Sequence, residues 1–158
     1  MPELLCDPRA WRDAPLVHGP EQVQSLIPQR FEMALLQGIV HHDREGRLAL
    51  GVHQARDTDF WVRGHVPGRP LMPGVVMVEM AAQLCAWLAH WDLPPEPGHF
   101  FGFGGIDAVR FRGQVVPGDR MLLAARVTRL RRGVGLFQTQ SFVHDELVYE
   151  GQITGVIV

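Results

Sequence analysis

Residues 64–83 read Gly-His-Val-Pro-Gly-Arg-Pro-Leu-Met-Pro-Gly-Val-Val-Met-Val-Glu-Met-Ala-Ala-Gln, a stretch rich in proline and glycine that passes into an apolar run. Proline and glycine are so frequent up to Gly74 that regular secondary structure is excluded there. The run from Val75 to His90 is long enough for a helix, and the prolines that follow it, at 94–97, stop the helix. Because the run is apolar on nearly every side, we expect a helix buried inside the protein.

The segments on either side of this helix favour β-strands. Phe31 to Val40 is typical of a strand or its approach, Leu48 to Val52 is a second strand, and the polar residues 41–47 form a turn between them. Residues 100–158 look like consecutive strands, including Val109–Phe111, separated by short turns at Pro117-Gly118-Asp119, Arg132-Gly133 and His144-Asp145. One buried helix beside a large antiparallel sheet predicts the α+β class.

The chain as a whole has the composition of one globular domain. It has 158 residues, of which 46% are apolar and 20% charged, and we divide it into an irregular, proline-rich extension at 1–20 and a single domain at 21–158. The first element of that domain is a short helix at Glu21–Leu26. The net charge of −2 gives no basic excess, so nucleic acid is not an expected partner.

Targeting signals and cysteine usage bear on the compartment. Cys6 and Cys85 do not form a disulfide framework, which suits a reducing compartment. The N-terminal residues have no apolar run typical of a signal peptide, and no stretch reaches the roughly 20 apolar residues that span a bilayer. We therefore expect a cytoplasmic protein without a membrane segment.

Glu79 is the candidate acid of the predicted helix. It follows Val78 and precedes Met80 in an otherwise apolar stretch, where an ionised carboxylate loses much of its hydration. One interpretation is a carboxylic acid that burial keeps protonated near neutral pH, ready to donate its proton. The alternative is a side chain that faces solvent or pairs with a distant arginine. Gln83 follows one helical turn later and can share the same face.

Two further residues of the opening stretch are candidates for chemistry. His65 lies in a loop framed by glycine and proline that leads directly into the helix, which is the rigid setting that acid–base chemistry needs. Gly74 would let a ligand approach exposed N–H groups at the helix start, where the helix dipole favours negative charge. An ordinary helix start explains this glycine equally well. The cluster His41-His42-Asp43 has no second group of ligands that would indicate a metal site.

The stretch 64–83 closely resembles the signature of the bacterial 3-hydroxyacyl-acyl-carrier-protein dehydratases of fatty-acid synthesis. The likeness covers roughly residues 21–155 in the family's order, and its further motifs lie at 27–31, 103–111, 115–119 and 131–133. The resemblance implies a hotdog fold, in which a curved antiparallel sheet wraps a long central helix. It also implies a homodimer, often assembled further into a hexamer as a trimer of dimers.

The resemblance also implies a reaction and its two main groups. A (3R)-hydroxyacyl thioester on an acyl carrier protein would lose water to give the trans-2-enoyl thioester. His65 of one subunit would remove the α-proton, and Glu79 of the other would protonate the leaving hydroxyl. This site would lie at the dimer interface beside an apolar acyl tunnel, and it requires no metal or redox cofactor.

Other residues take supporting roles by the same resemblance. Backbone N–H groups near Gly74 and Val75 would polarise the thioester carbonyl, and Gln83 would support the acid. The carrier protein is acidic, so Arg131 and Arg132 are candidates for docking it.

Four positions differ from the residues usual in the family: Gln29, Glu32, Val66 and Gly102. They leave the acid and the base in place, and two alternatives stay open. A hotdog thioesterase would use Glu79 to activate water. A non-catalytic hotdog subunit would bind acyl groups and partner an active paralogue.

Overall fold

The computed structural model describes residues 1–158 and places one long helix against a six-stranded sheet. The helices are α1 (Pro20–Gln24) and α2 (Gly74–Asp92), with 3-10 turns at Pro8–Ala10 and Phe31–Met33. The strands are β1 (Gly38–Asp43), β2 (Leu48–Gln54), β3 (Phe101–Phe111), β4 (Arg120–Arg131), β5 (Val134–Val143) and β6 (Glu146–Ile157). All pairings are antiparallel, in the order β1-β2-β4-β5-β6-β3. The predicted α+β class and the hotdog arrangement of a sheet around a central helix are confirmed.

Helix α2 forms the centre of the core, as predicted. Pro73 caps its start and has no backbone N–H group that would need an acceptor there. Leu93 caps its end, just before the proline cluster. Its buried side chains share one core with the inner face of the sheet, and burial of a residue such as Leu84 contributes about 1.5–3 kcal/mol. No helix of the structure is long and apolar enough to cross a lipid bilayer.

Two tight turns join the last three strands. Arg132 and Gly133 connect β4 to β5, and His144 and Asp145 connect β5 to β6. All four residues have positive φ angles, as two-residue type I′ hairpin turns require. The predicted positions of both turns are confirmed.

The predicted boundaries of β1 were wrong at both ends. Residues 31–33 form a 3-10 turn, and the strand begins only at Gly38. The segment His41-His42-Asp43 belongs to β1 and is not a turn. The two histidines fit a strand because aromatic rings pack against them. The ring centroids of His41 and Trp11 are 4.3 Å apart, and those of His42 and Trp87 are 5.0 Å apart.

Strand β3 is longer than predicted and lies at the edge of the sheet. It begins at Phe101 and pairs only with β6, so its other edge has no partner strand within the chain. The glycines at 102 and 104 are weak strand formers, but a Cβ at Gly102 would come within 2.9 Å of a Val158 methyl group, and one at Gly104 within 2.9 Å of a Val156 methyl group. The strand is therefore stabilised by close pairing and not by local propensity.

The N-terminal residues pack on the outer face of the sheet. Leu5 is buried in a second apolar cluster, and its backbone N–H donates to the Gln140 side chain at 2.8 Å. The other buried members of this cluster come from β1, β2, β4 and β5: Val40, Leu50, Val52, Leu122, Ala124 and Phe142. Helix α2 covers one face of β4 and the N-terminal segment covers the other. Consecutive residues of this strand are therefore buried and apolar, without the usual alternation of apolar and polar side chains.

Candidate active site

Glu79 and Gln83 are joined by a hydrogen bond on one face of α2. The Gln83 Nε2 donates to Glu79 Oε1 at 2.9 Å, as expected for side chains one helical turn apart. Glu79 is partly buried, whereas Gln83 is only 1% exposed. Because Oε1 accepts this hydrogen bond, a proton on the carboxyl group belongs on Oε2.

The Gln83 amide is held in one orientation by four hydrogen bonds. Its Nε2 also donates to the Met33 carbonyl at 2.8 Å, and its Oε1 accepts from the N–H groups of Leu35 and Leu36 at 3.2 and 3.1 Å. A flipped amide would face two N–H groups with its own donors, so the network fixes which end meets Glu79. The segment 33–36 therefore fixes the amide that donates to Glu79.

Glu79 lines a small, mainly apolar cavity of about 110 Å³ between α2 and the sheet. Gln29 is the other polar side chain in its wall, and its Oε1 is buried without a hydrogen-bond partner. The apolar lining comes from α2, β3, β5 and β6 and includes Ala82, Cys85, Ala86, Phe101, Phe137 and Ile153. Burial raises the pKa of the Cys85 thiol well above its ordinary value, so this residue is an apolar part of the wall.

His65 is exposed and has one ring nitrogen free. Its Nδ1 lies 2.7 Å from the Leu71 carbonyl oxygen, which can only accept, so Nδ1 carries a proton. In the neutral ring Nε2 is then unprotonated and can act as a base. The backbone of the loop is fixed as well, because the His65 N–H donates to the Trp61 carbonyl at 3.0 Å.

The start of α2 offers two backbone donors. The N–H groups of Gly74 and Val75 have no acceptor within the chain, whereas the N–H of Val76 donates to the Pro73 carbonyl at 3.0 Å. The ring of Phe111 lies so close that a Cβ at Gly74 would come within 2.7 Å of it. Gly74 is thus required for two reasons: it allows Phe111 to pack closely, and it leaves the helix terminus open.

Within one chain the candidate residues do not all line the same cavity. Glu79 and Gln83 line or border the cavity, and His65 is not among the cavity's lining side chains. Val75, with 73% of its surface exposed, lies at the open helix terminus beyond the cavity wall.

The predicted docking residues lie on the surface near the β4–β5 turn. Arg131 ends β4 and Arg132 begins the turn, and both are exposed. Together with Arg129, Val134 and Leu136 they line a hollow of about 520 Å³.

The residues that shape the cavity were not predicted from the sequence. Ala82 and Ala86 could have been found, because they follow Glu79 at helical spacing and are small enough to leave space beside it. Phe137 and Ile153 could not, because their positions depend on how β5 and β6 pair across the sheet.

Comparisons with known proteins agree on the family. The model of the FabA-like domain matches residues 27–152. The 3-hydroxyacyl-[acyl-carrier-protein] dehydratase FabZ of Moorella thermoacetica is 37% identical over 131 residues, covering 83% of this chain and 90% of its own length. The FabZ of Natranaerobius thermophilus is 35% identical over 137 residues, which cover 87% of this chain and 95% of the relative.

Solved structures with little sequence similarity share the fold. The dehydratase heterocomplex ApeI:P from Xenorhabdus doucetiae matches with a TM-score of 0.70 at 15% identity, over 85% of this chain and 89% of that one. A mutant of thioesterase PA1618 from Pseudomonas aeruginosa matches with a TM-score of 0.65 at 16% identity, over 94% of this chain and 97% of the thioesterase chain. At such identities the likeness shows the fold alone. From the matched domain and the sequence relatives together, the chain belongs to the FabA-like family of 3-hydroxyacyl-[acyl-carrier-protein] dehydratases.

Proposed function

We propose that this protein removes water from a (3R)-hydroxyacyl thioester on an acyl carrier protein and gives the trans-2-enoyl thioester, in fatty-acid synthesis or a related lipid pathway. The relatives named above carry this activity in their names. The observation that carries the proposal for this chain is Glu79, which lines a mainly apolar cavity with one carboxyl oxygen occupied by Gln83 and the other left for a substrate.

The base in this proposal is Nε2 of His65. The α-proton of a thioester is acidic only when the enolate is stabilised, so its removal needs both a base and a place for negative charge. The hydrogen bond from Nδ1 to the Leu71 carbonyl supports this role because it leaves Nε2 unprotonated in the neutral ring.

The acid in this proposal is Glu79. As the C–H electrons form the C=C bond, the C3–O bond breaks, and the hydroxyl leaves as water once it takes the Oε2 proton. Afterwards His65 holds one proton more and Glu79 one fewer, so transfer of a proton back restores both groups. The acyl chain lies in the cavity between α2 and the sheet.

The thioester oxygen binds at the start of α2 in this proposal. The N–H groups of Gly74 and Val75 have no other acceptor, and the positive end of the helix dipole stabilises the negative charge that develops on the oxygen. Removal of one such donor typically costs about 100-fold or more in rate.

We further propose a homodimer with the site at its interface. His65 is absent from the wall of the cavity that Glu79 lines, so a second subunit would supply the base. The unpaired edge of β3 supports such an assembly, since long exposed edges are usually covered, and the strand exposes Phe103, Ile106 and Phe111. A trimer of dimers is the further assembly suggested by the resemblance.

The carrier protein would dock at the basic hollow near the β4–β5 turn. Exposed Arg131 and Arg132 complement an acidic partner, and such charges mainly speed association. Reversal of both charges should raise KM for the carrier-linked substrate and leave KM for a pantetheine-linked analogue unchanged. The free thiols of Cys6 and Cys85 support the cytoplasmic location that belongs to this proposal.

The test is turnover of 3-hydroxyacyl thioesters of several chain lengths, followed by absorbance of the enoyl product. His65→Ala and Glu79→Gln should each lower kcat at least about 100-fold, in line with the contribution of acid–base groups, and keep the wild-type oligomer. Arg63→Ala, an exposed change two residues from His65, is the matched control and should stay active.

Other outcomes separate the alternatives. Release of free thiol from an acyl-coenzyme A without an enoyl signal would identify a thioesterase. Acyl binding without turnover by the wild-type protein would identify a non-catalytic subunit. Full activity in either the His65 or the Glu79 variant would overturn the proposed mechanism.

A further inference from the structure

His53 is a buried histidine next to the segment that holds Gln83. It lies in β2, is 1% exposed, and its Nδ1 lies 2.8 Å from the Leu35 carbonyl oxygen. The carbonyl can only accept, so Nδ1 carries the proton of this hydrogen bond. A buried polar side chain with one defined partner restrains that partner, because loss of the donor would leave the carbonyl unsatisfied in the core.

The backbone of Leu35 lies between His53 and the candidate acid. Its carbonyl accepts from His53, and its N–H donates to Gln83 Oε1 at 3.2 Å. Gln83 in turn donates to Glu79 Oε1 at 2.9 Å. A continuous series of hydrogen bonds therefore runs from the His53 ring to the carboxyl group of Glu79.

The other side of the His53 ring faces the loop that leads to His65. Its Nε2 lies 3.5 Å from Asp59 Oδ2, and the same oxygen accepts the Arg56 N–H at 3.1 Å. The Asp59 N–H donates to the Arg56 carbonyl at 3.1 Å and its carbonyl accepts from the Val62 N–H at 3.1 Å, so Asp59 belongs to two consecutive turns of this loop.

We propose that His53 is a positioning residue for the dehydration, acting through Leu35 and Gln83 on Glu79. This inference rests on the proposed role of Glu79 as the acid. His53 holds the carbonyl of Leu35, and this fixes the N–H groups to which Gln83 binds. The Gln83 amide then keeps Glu79 Oε1 occupied and directs Oε2 toward the substrate.

The expected effect is on kcat and not on KM. His53 does not line the cavity, so substrate binding should be unchanged, whereas a displaced acid slows proton transfer to the leaving hydroxyl. Small displacements of reacting groups lower rates substantially, and we expect His53→Leu to lower kcat about 10-fold or more. His53→Asn keeps an N–H donor and should recover most of that loss.

The experiment is a double-mutant cycle on the full-length protein. The variants His53→Leu, Gln83→Leu and their combination are compared by kcat and KM, with His53→Asn as the conservative variant and the exposed His99→Asn as a control. If His53 acts through Gln83, the double variant should be no slower than Gln83→Leu alone. Where His53→Leu does not fold, His53→Met takes its place, because its flexible side chain fills irregular spaces.

Hydrogen exchange supplies a readout that needs no activity. The amides of Leu35 and Leu36 should exchange faster in His53→Leu than in the wild type and nearly as slowly in His53→Asn. Additive losses in kcat, a change confined to KM, or unchanged amide exchange would overturn the positioning role. Full activity in Glu79→Gln would instead overturn the proposed function, so the two failures are distinguishable.

Discussion

Gln83 donates a hydrogen bond of 2.9 Å to Oε1 of Glu79, and the same amide is held by three backbone groups of residues 33–36. The carboxyl group is therefore aligned by a buried amide that has no freedom to turn. Gln83→Leu removes this alignment and leaves the N–H groups of Leu35 and Leu36 without their acceptor.

We expect Gln83→Leu to lower kcat about 10-fold or more and the free energy of unfolding by about 1–3 kcal/mol. Steady-state kinetics and urea unfolding measure the two effects. Gln152→Leu, at an exposed position of β6, is the matched control and should change neither. Unchanged kinetics in Gln83→Leu would show that the acid does not depend on this contact.

The preference of the enzyme for acyl chains of a given length should depend on Ala86. This residue lines the cavity beside Glu79, and a leucine there would fill part of its volume of about 110 Å³. We expect Ala86→Leu to lower kcat/KM for long-chain 3-hydroxyacyl thioesters by about 10-fold or more, because lost apolar contact costs roughly 0.8 kcal/mol per methylene. A four-carbon substrate should be little affected. Equal losses for short and long substrates would place the acyl chain elsewhere.

The N-terminal segment should contribute to stability through Leu5. Its side chain is 8% exposed in the outer cluster, so Leu5→Ala should lower the free energy of unfolding by about 2 kcal/mol. The neighbouring Leu4 is 44% exposed, and Leu4→Ala should change the free energy of unfolding by less than about 0.5 kcal/mol. Chemical unfolding of both variants makes the comparison. Equal effects would mean that the segment does not pack on the sheet in solution.

Stability should fall below neutral pH because of His42. Burial lowers the pKa of His42 below its ordinary value of 6.5, the positive charges of Arg44 and His18 add to this, and Asp92 opposes it. The unfolded state thus binds more protons once the pH drops below about 6.5, and the stabilisation present above that pH is lost as the pH falls further.

The measurement is the free energy of unfolding at several values between about pH 8 and pH 5. In His42→Gln the decline should be shallower than in the wild type. It should not vanish, because burial also lowers the pKa of His90. An identical decline in the variant and the wild type would contradict the assignment to His42.

Local signals in the sequence were sufficient for the helix and the tight turns. The apolar run after Gly74 predicts α2 by its length and by the prolines that end it, and Gly133 favours a hairpin turn because glycine adopts positive φ without strain. Glu79 and Gln83 were predictable as neighbours for the same reason, since helical spacing alone brings them together.

Features that depend on distant contacts could not be predicted. The histidines of β1 read as a turn because the rings that cover them, such as Trp87, come from another element. Strand β3 was predicted too short because pairing with β6 overrides its glycines. His53 had no signal at all, since its partners at Leu35 and Asp59 are brought to it only by the fold.

If His65 of one subunit and Glu79 of the other form one active site, two inactive variants should complement each other when they are mixed. Refolded together, His65→Ala and Glu79→Gln subunits give mixed dimers in which one of the two sites has both native groups. We expect about a quarter of wild-type activity to return, since about half of randomly paired dimers are mixed and each has one working site. No recovery, with mixed dimers demonstrated by mass spectrometry, would contradict it.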